Sequence, residues 1–215
     1  QDIDGIYEVD NSNSNFDLPL ETLWNQQHRY QGQSDSDLSE LGHKQARLTA
    51  EYLAKQPITA VYSSDLGRAL RTAEIIADPH RLAAKPDQRL REMAFGVWEG
   101  LTRPEVVEQY PEIYYTRYQD VLSTRVPGGE LPHEVVARFR DFMDEHLPKH
   151  GEETIVLVSH GGTLRLAIAS ILHMPLEKSY CFRVSNGGVS RLTYTRNDRG
   201  CLWEVSCLNS TDHLG

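Results

Sequence analysis

His160 stands one residue beyond the apolar run Thr154-Ile-Val-Leu-Val158, after Ser159, and is followed by Gly161 and Gly162. Two glycines let a backbone pass close to a ligand, and the start of the helix expected from Thr163 offers N–H groups and a partial positive charge, so an anion is favoured there. Arg68 falls on the first turns of a helix that follows a second apolar run, Ile58 to Tyr62, and the turn Ser63-Ser64-Asp65. Its guanidinium is a planar fork of donors suited to phosphate oxygens. Glu92, in Leu90-Arg-Glu-Met-Ala-Phe-Gly-Val-Trp-Glu-Gly100, can protonate a leaving oxygen where its surroundings favour the acid form. Taken singly, each has an ordinary reading: a hydrogen-bonded histidine at a strand end, a solvated arginine, a surface acid. Open α/β sheets, however, bind ligands beyond the carboxyl ends of their strands, and His160 and Arg68 share such an edge.

The elements that must position these groups follow from periodicity and punctuation. Ser39 is a fitting N-cap for a helix to about Lys55, with Leu41, Leu48, Tyr52 and Leu53 as its apolar stripe. A strand over 58–62 leads into a helix over 66–77, which Asp78-Pro79 ends. A further helix spans His133 to Leu147, with Val135, Val136, Phe139, Phe142 and Met143 on one face and Pro148 as its stop. The run 154–158 reads as a strand buried on both faces, and a helix over 163–172 follows it. Cys201, Trp203, Val205 and Cys207 alternate with polar or exposed neighbours, so the chain closes on a strand expected to bury two thiols as small apolar groups. Helices alternating with buried strands imply a three-layer α/β/α sandwich with a mostly parallel central sheet.

Composition narrows the class of partner. The 215 residues carry 22 Lys plus Arg against 31 Asp plus Glu, a formal charge of −9, which speaks against a nucleic-acid footprint and against a polybasic membrane patch. The apolar runs fall far short of the roughly 18 to 20 residues that cross a bilayer. Three cysteines without C-x-x-C spacing fit a reducing, cytoplasmic setting, and the nine histidines show no metal-ligand spacing, so no metal or other cofactor is expected. Ser159 lacks the G-x-S-x-G elbow of serine hydrolases, and no phosphate-binding G-x-x-x-x-G-K-[ST] loop is present. The chain starts at Gln1 without the regions of a signal peptide, so its start is read as trimmed or as part of something longer. Residues 1–20 hold Asp2, Asp4, Glu8, Asp10 and Asp17 but no Lys or Arg, and an Asn/Ser tract from Asn11 to Asn15. A solvated tail is the favoured reading, with a short strand through Ile6, Tyr7 and Val9 as the alternative.

Several motifs in order resemble the histidine phosphatase superfamily, also called phosphoglycerate mutase-like. They are Glu21-Thr-Leu-Trp-Asn25, Arg29-Tyr-Gln-Gly32, Asp37-Leu-Ser-Glu-Leu-Gly42, the segment from Tyr62 to Ala73, Leu90 to Gly100, Val126-Pro-Gly-Gly-Glu130 and Val158-Ser-His-Gly-Gly162. The resemblance covers residues 21–215 as one domain and leaves 1–20 outside it. It implies a sheet flanked by helices and a metal-free reaction in which a histidine takes the phosphoryl group from a small phosphorylated molecule and passes it to water or a second alcohol. By the same resemblance Arg68 clamps phosphate oxygens, His160 stabilises the transferring group, Glu92 donates the proton, and Asn25 and Gly161 line the pocket. Arg29 and Tyr30 are expected at the rim, where the non-phosphate part of the ligand is read, and the expected partner is a small phosphorylated molecule or orthophosphate. The short segment from Phe95 to Gly100 resembles the family's small phosphatases more than its mutases.

The family signature opens with Arg-His-Gly just before the Glu-Thr segment, and this chain has Leu18-Pro19-Leu20 there. Pro19 thus occupies the position of the nucleophilic histidine. Losing a covalent nucleophile costs on the order of 10⁴ to 10⁶ in rate. Little turnover is therefore expected of the chain as written, which makes it a pseudoenzyme; the alternative is a non-catalytic binding or scaffolding module that keeps or covers the old phosphate pocket.

Overall fold

The strand Thr154–Val158 is buried along its whole length because helices cover both of its faces. The computed structural model describes residues 6–10, 15–17, 21–197 and 200–215. Its strands are β1 (Ile6–Asp10), β2 (Asn15–Asp17), β3 (Ile58–Ser63), β4 (Ala84–Pro86), β5 (Thr154–Val158), β6 (Val189–Asn197) and β7 (Gly200–Ser210). They form one mixed sheet in the order β4-β3-β5-β1-β2-β6-β7. β3 runs parallel to both β4 and β5, whereas β1 is antiparallel to β5 and parallel to β6. The helices are α1 (Leu23–Gln26), α2 (Glu40–Leu53), α3 (Gly67–Ala77), α4 (Arg103–Gln109), α5 (Pro111–Gln119), α6 (Pro132–His150) and α7 (Gly161–Ile171). α2 packs with α3 and α6 with α7. Their apolar faces meet β3 and β5 in one core that includes Leu53, Ile76, Phe142, Leu157 and Ile168.

Several expectations hold and several are corrected. Ser39 caps α2, its hydroxyl accepting the Gly42 N–H at 3.1 Å. Leu41, expected on the buried stripe, is 46% exposed; the buried face is instead Gly42, Ala46, Thr49, Ala50 and Leu53. Ala46 packs against Ile75 of α3, and Gly42 leaves room for the Glu21 carbonyl. Pro148 does not stop α6, which continues to His150. The last turn is held from outside, since the Tyr62 hydroxyl and His150 Nε2 lie 2.8 Å apart and His150 Nδ1 is 2.8 Å from Glu153. The tail reading fails for residues 6–10, which form a strand through Ile6, Tyr7 and Val9 and give β5 its second neighbour, as a strand inside a sheet requires. Residues 15–17 also pair, with β1 and β6. On β7, Trp203, Val205 and Cys207 are half-buried between exposed Leu202, Glu204 and Ser206. Cys207 is not in the core because β7 is an edge strand; the side chain of Cys201 lies outside the described residues. Cys181, like Cys207 a free thiol, is exposed.

Burial holds His80, His146 and His213 below the ordinary histidine value of 6.5. His213 also sits 3.0 Å from the Thr49 hydroxyl and stacks on Tyr52, closing the C-terminus onto α2. The unfolded chain therefore binds more protons than the folded chain once pH drops below about 6.5. Stability from these rings is present above that value and lost as pH falls through their lower folded values. Urea unfolding followed by circular dichroism should give a lower midpoint at pH 5.5 than at pH 7.5, and an equal or higher midpoint would contradict the burial of these rings as neutral groups.

Candidate active site

β3 and β5 lie side by side and end together, with Ser63 in register with Val158 and the Ser64 N–H donating to the Val158 carbonyl at 2.8 Å. The segments leaving them carry Arg68 on the first turn of α3 and His160 as the N-cap of α7, so the two meet at one sheet edge as the sequence implied. His160 is fully buried and Arg68 is 2% exposed. The Arg68 guanidinium is held by the loop at 32–35: Nη2 donates to the Gly32 carbonyl and Nη1 to that of Ser34, both at 2.8 Å, with Asp35 Oδ1 at 3.4 Å. Asp35 also accepts the Gly67 N–H at the start of α3, where the helix dipole favours a carboxylate. Gly32 has φ +56°, and a Cβ on it would collide with Glu99. That contact exists because Glu99 accepts from the Gln33, Ser34 and Phe95 N–H groups and ties this loop to the segment after Glu92.

Glu92 is 3% exposed, and four donors converge on its carboxylate. Oε2 accepts the Gly162 N–H at 2.9 Å; Oε1 accepts the N–H groups of Met93 at 2.7 Å and Thr163 at 3.0 Å, with the Thr163 hydroxyl at 3.2 Å. The start of α7 does receive an anion, but the anion is Glu92. This corrects the expectation that the Gly162 and Thr163 N–H groups stand open to a ligand. Gly162 is required here, since a Cβ would lie 2.7 Å from Glu92 Oε1. Oε2 thus accepts one N–H and Oε1 two, the Thr163 hydroxyl lying nearer the Arg91 carbonyl at 2.8 Å. The backbone around Glu92 is clamped from three sides. Arg138 of α6 donates to the Arg89 and Glu92 carbonyls at 2.7 and 3.0 Å, Ser159 donates to the Leu90 carbonyl at 2.7 Å, and Arg91 makes a two-pronged pair with Asp65 at 2.6 Å. The Asp65 hydrogen bonds push the Arg91 guanidinium further up from its ordinary value.

The remaining sequence candidates are placed as follows. Asn25 caps α1 reciprocally with Thr22, its Oδ1 accepting the Thr22 N–H at 2.9 Å and hydroxyl at 2.8 Å. Arg29 is half-buried against α4, donating to the Gly100 carbonyl at 2.6 Å and to Glu105 at 3.2 Å, and so serves the capping box of that helix. Tyr30 packs on Phe95 and Trp98, with ring centroids 5.4 and 5.5 Å apart. Gly161 is the first residue of α7. Positions 18–20, with the nucleophile position at Pro19, lie outside the described residues.

The sequence reading passed over Gln31, Asp35, Glu99 and Arg138. Gln31 is 2% exposed, and neither atom of its amide has a hydrogen-bond partner among the described residues. Buried polar groups are nearly always paired, and this exception lies next in the chain to Gly32, whose carbonyl holds Arg68. Its only sequence signal was membership of the Arg29 to Gly32 motif. Among the described residues no group of three or more His, Cys, Asp or Glu is arranged to hold a metal ion, and no helix is long and apolar enough to cross a membrane.

With this geometry in place the class of protein is defined: the sequence profile of the histidine phosphatase superfamily (branch 1) matches residues 21–209, and the chain belongs to that superfamily. It is 34% identical over 195 residues to phosphoserine phosphatase 1 of Hydrogenobacter thermophilus, across 91% of this chain and 90% of that protein. To the probable phosphoglycerate mutase GpmB of Yersinia pestis it is 38% identical over 198 residues, across 90% of this chain and 91% of that one. Among solved structures, YhfR of Bacillus stearothermophilus superposes with a TM-score of 0.85 at 27% identity, over 98% of this chain and 99% of that chain. The mycobacterial glucosyl-3-phosphoglycerate phosphatase in complex with VO3 gives 0.81 at 27% identity, over 96% of this chain and 100% of that one. The phosphoglycerate mutase-like fold is thereby shown.

Truncating Glu92 to Ala leaves three backbone donors in the site without their acceptor. Urea unfolding should show a loss of about 1–3 kcal/mol, the usual cost of orphaned buried donors. Glu92→Gln should lose less, and a Glu92→Ala variant as stable as the parent would contradict the capping role.

Proposed function

We propose that this chain is a phosphomonoesterase-type domain that takes a small phosphorylated metabolite at the sheet edge between α3 and α7. The observation that supports this is that Arg68 and His160 open the helices that follow the adjacent strands β3 and β5, with Glu92 bound to the start of the second helix. Arg68 meets the phosphate oxygens with a planar set of donors, and its carbonyl partners fix the plane in advance. His160 stabilises charge on the transferring phosphoryl group, and Glu92 gives a proton from Oε2 to the leaving alcohol oxygen as the P–O bond breaks. Gly161 and Asn25 contribute to the pocket wall, and Arg29 and Tyr30 to its rim. In a histidine phosphatase the phosphoryl group next bonds to a histidine nitrogen and then passes to water. Pro19 has no such nitrogen, so the two-step route stops and turnover is low. Free thiols at Cys181 and Cys207 agree with a reducing, cytoplasmic setting.

A second reading is a non-catalytic binding or scaffolding module that keeps or covers the old phosphate pocket. The complete burial of His160 and near-complete burial of Arg68 support it.

Hydrolysis of p-nitrophenyl phosphate between about pH 5 and 8 tests both. The parent chain should show turnover no greater than a His160→Ala control. The triple substitution Leu18→Arg, Pro19→His, Leu20→Gly should raise it by about 10⁴ to 10⁶. A folded triple variant without gain contradicts the phosphatase reading, and parent turnover that vanishes in the control contradicts the predicted inactivity.

A further inference from the structure

The motif Val126-Pro-Gly-Gly-Glu130 lies against the segment that carries Glu92. Gly129 pairs with Phe95, the Glu130 N–H donates to the Ala94 carbonyl at 2.9 Å, and the Ala94 N–H donates back to Glu130 Oε2 at 2.9 Å. Glycines permit this approach: a Cβ on Gly129 would lie 2.8 Å from the Ala94 carbonyl oxygen, and one on Gly96 would collide with the Pro127 carbonyl. Glu130 also forms a two-pronged pair with Arg138 of α6, Nε to Oε1 at 2.9 Å and Nη2 to Oε2 at 3.1 Å. The pair is largely buried, with the side chains of Arg138 and Glu130 17% and 21% exposed.

This pair is directed at Glu92. The same guanidinium donates to the Arg89 and Glu92 carbonyls, so the segment is bonded at residues 89, 92 and 94 by two side chains that also bond each other. Gln33 completes the group. Its Nε2 donates to the Glu92 carbonyl at 3.2 Å and to Glu130 Oε2 at 3.3 Å, while its chain neighbours Gly32 and Ser34 hold Arg68 through their carbonyls. One cluster therefore grips the main chain of Glu92 and reaches the loop that orients the guanidinium of Arg68. The start of α7 holds the Glu92 carboxylate from the other side. An acid fixed at its carboxylate alone can shift with its segment, whereas one fixed at both ends keeps its direction, and small misplacements of a reacting group are costly in rate.

We propose that Glu130, Arg138 and Gln33 are positioning residues for Glu92, setting its place relative to the Arg68 clamp through its main chain. This inference rests on the phosphomonoesterase reading above and gives the motif at 126–130 its part in that reaction.

The dependence of rate on the leaving group tests it, because a proton donor matters most for an alcohol that leaves poorly as an anion and little for p-nitrophenol. In the full chain carrying Leu18→Arg, Pro19→His and Leu20→Gly, kcat/KM for benzyl phosphate is compared with that for p-nitrophenyl phosphate. Arg138→Met and Glu130→Ala should each lower the benzyl-to-nitrophenyl ratio about ten-fold or more, in the same direction as Glu92→Gln. Arg138→Lys, which keeps the charge but not the planar fork, should fall between. A loss of folded protein scales both esters alike and leaves the ratio unmoved. Glu130→Gln, which keeps an acceptor for the Ala94 N–H, should lower the ratio by a smaller factor and serves where the other variants do not fold. A ratio unchanged in these variants while Glu92→Gln lowers it overturns the positioning role and leaves the phosphomonoesterase reading standing. Absence of turnover of both esters in the folded triple variant overturns that reading and this inference with it, and a ratio indifferent to Glu92→Gln overturns the proton donor and its positioning together.

Discussion

The carboxylate of Glu92 set against the first turn of α7 is the interaction on which the site depends. A helix start buried in a protein leaves N–H groups that must be satisfied, and Glu92 satisfies those of Gly162 and Thr163 with a group from a segment some 70 residues earlier. The same contact binds the loop after β4 to the element after β5. Thr163 and Ser159 reinforce it by donating to the carbonyls of Arg91 and Leu90. Glu92 is thus the cap at the helix start that His160 precedes.

The opposite side of the edge follows the same logic with the charges reversed. Arg68 is a buried cation whose position is set by carbonyl oxygens from one short loop, and Asp35 in that loop caps α3. Glu99 pins the loop by accepting three of its surrounding N–H groups. Both side chains are therefore positioned chiefly by backbone groups, with Asp35 beside Arg68 as an added side-chain partner. Backbone restraint of this kind gives orientation before a ligand arrives, which is how fixed donors stabilise charge at little reorganisation cost.

Much of this was legible before any coordinates. The strand at 154–158 showed itself as an unbroken apolar run, and the glycines after His160 marked the close approach that Gly162 makes to Glu92. The partner of that approach was not legible, because a hydrogen bond across so long a separation leaves no local pattern. The misplacement of Leu41 has a simpler cause: an apolar residue at the right phase was read as core, whereas the close approach of the Glu21 carbonyl selected Gly42 and packing against Ile75 of α3 selected Ala46. Helices α4 and α5 went unread although Thr102 and Glu105 form a capping box and Pro104 and Pro111 mark helix starts. The tyrosine-rich α5 lacks a clean period because part of its surface lines a cavity, and the short α4 buries only Val106. The first strand was misjudged because charge and Asn/Ser content describe a segment's solubility, not the vacancy it must fill beside β5. Gln31 could be flagged only by the absence of partners, which sequence does not display.

The central claim is that the edge formed by Arg68, Glu92 and His160 recognises a phosphoryl group. Isothermal titration of the full chain with orthovanadate measures this most directly, because vanadate adopts the geometry of a phosphoryl group in transfer. The account predicts saturable binding at one site, weakened at least about ten-fold in Arg68→Ala, as expected for the loss of charge-assisted bonds in a buried site. A folded chain that shows no saturable binding, or an affinity indifferent to Arg68, would contradict it.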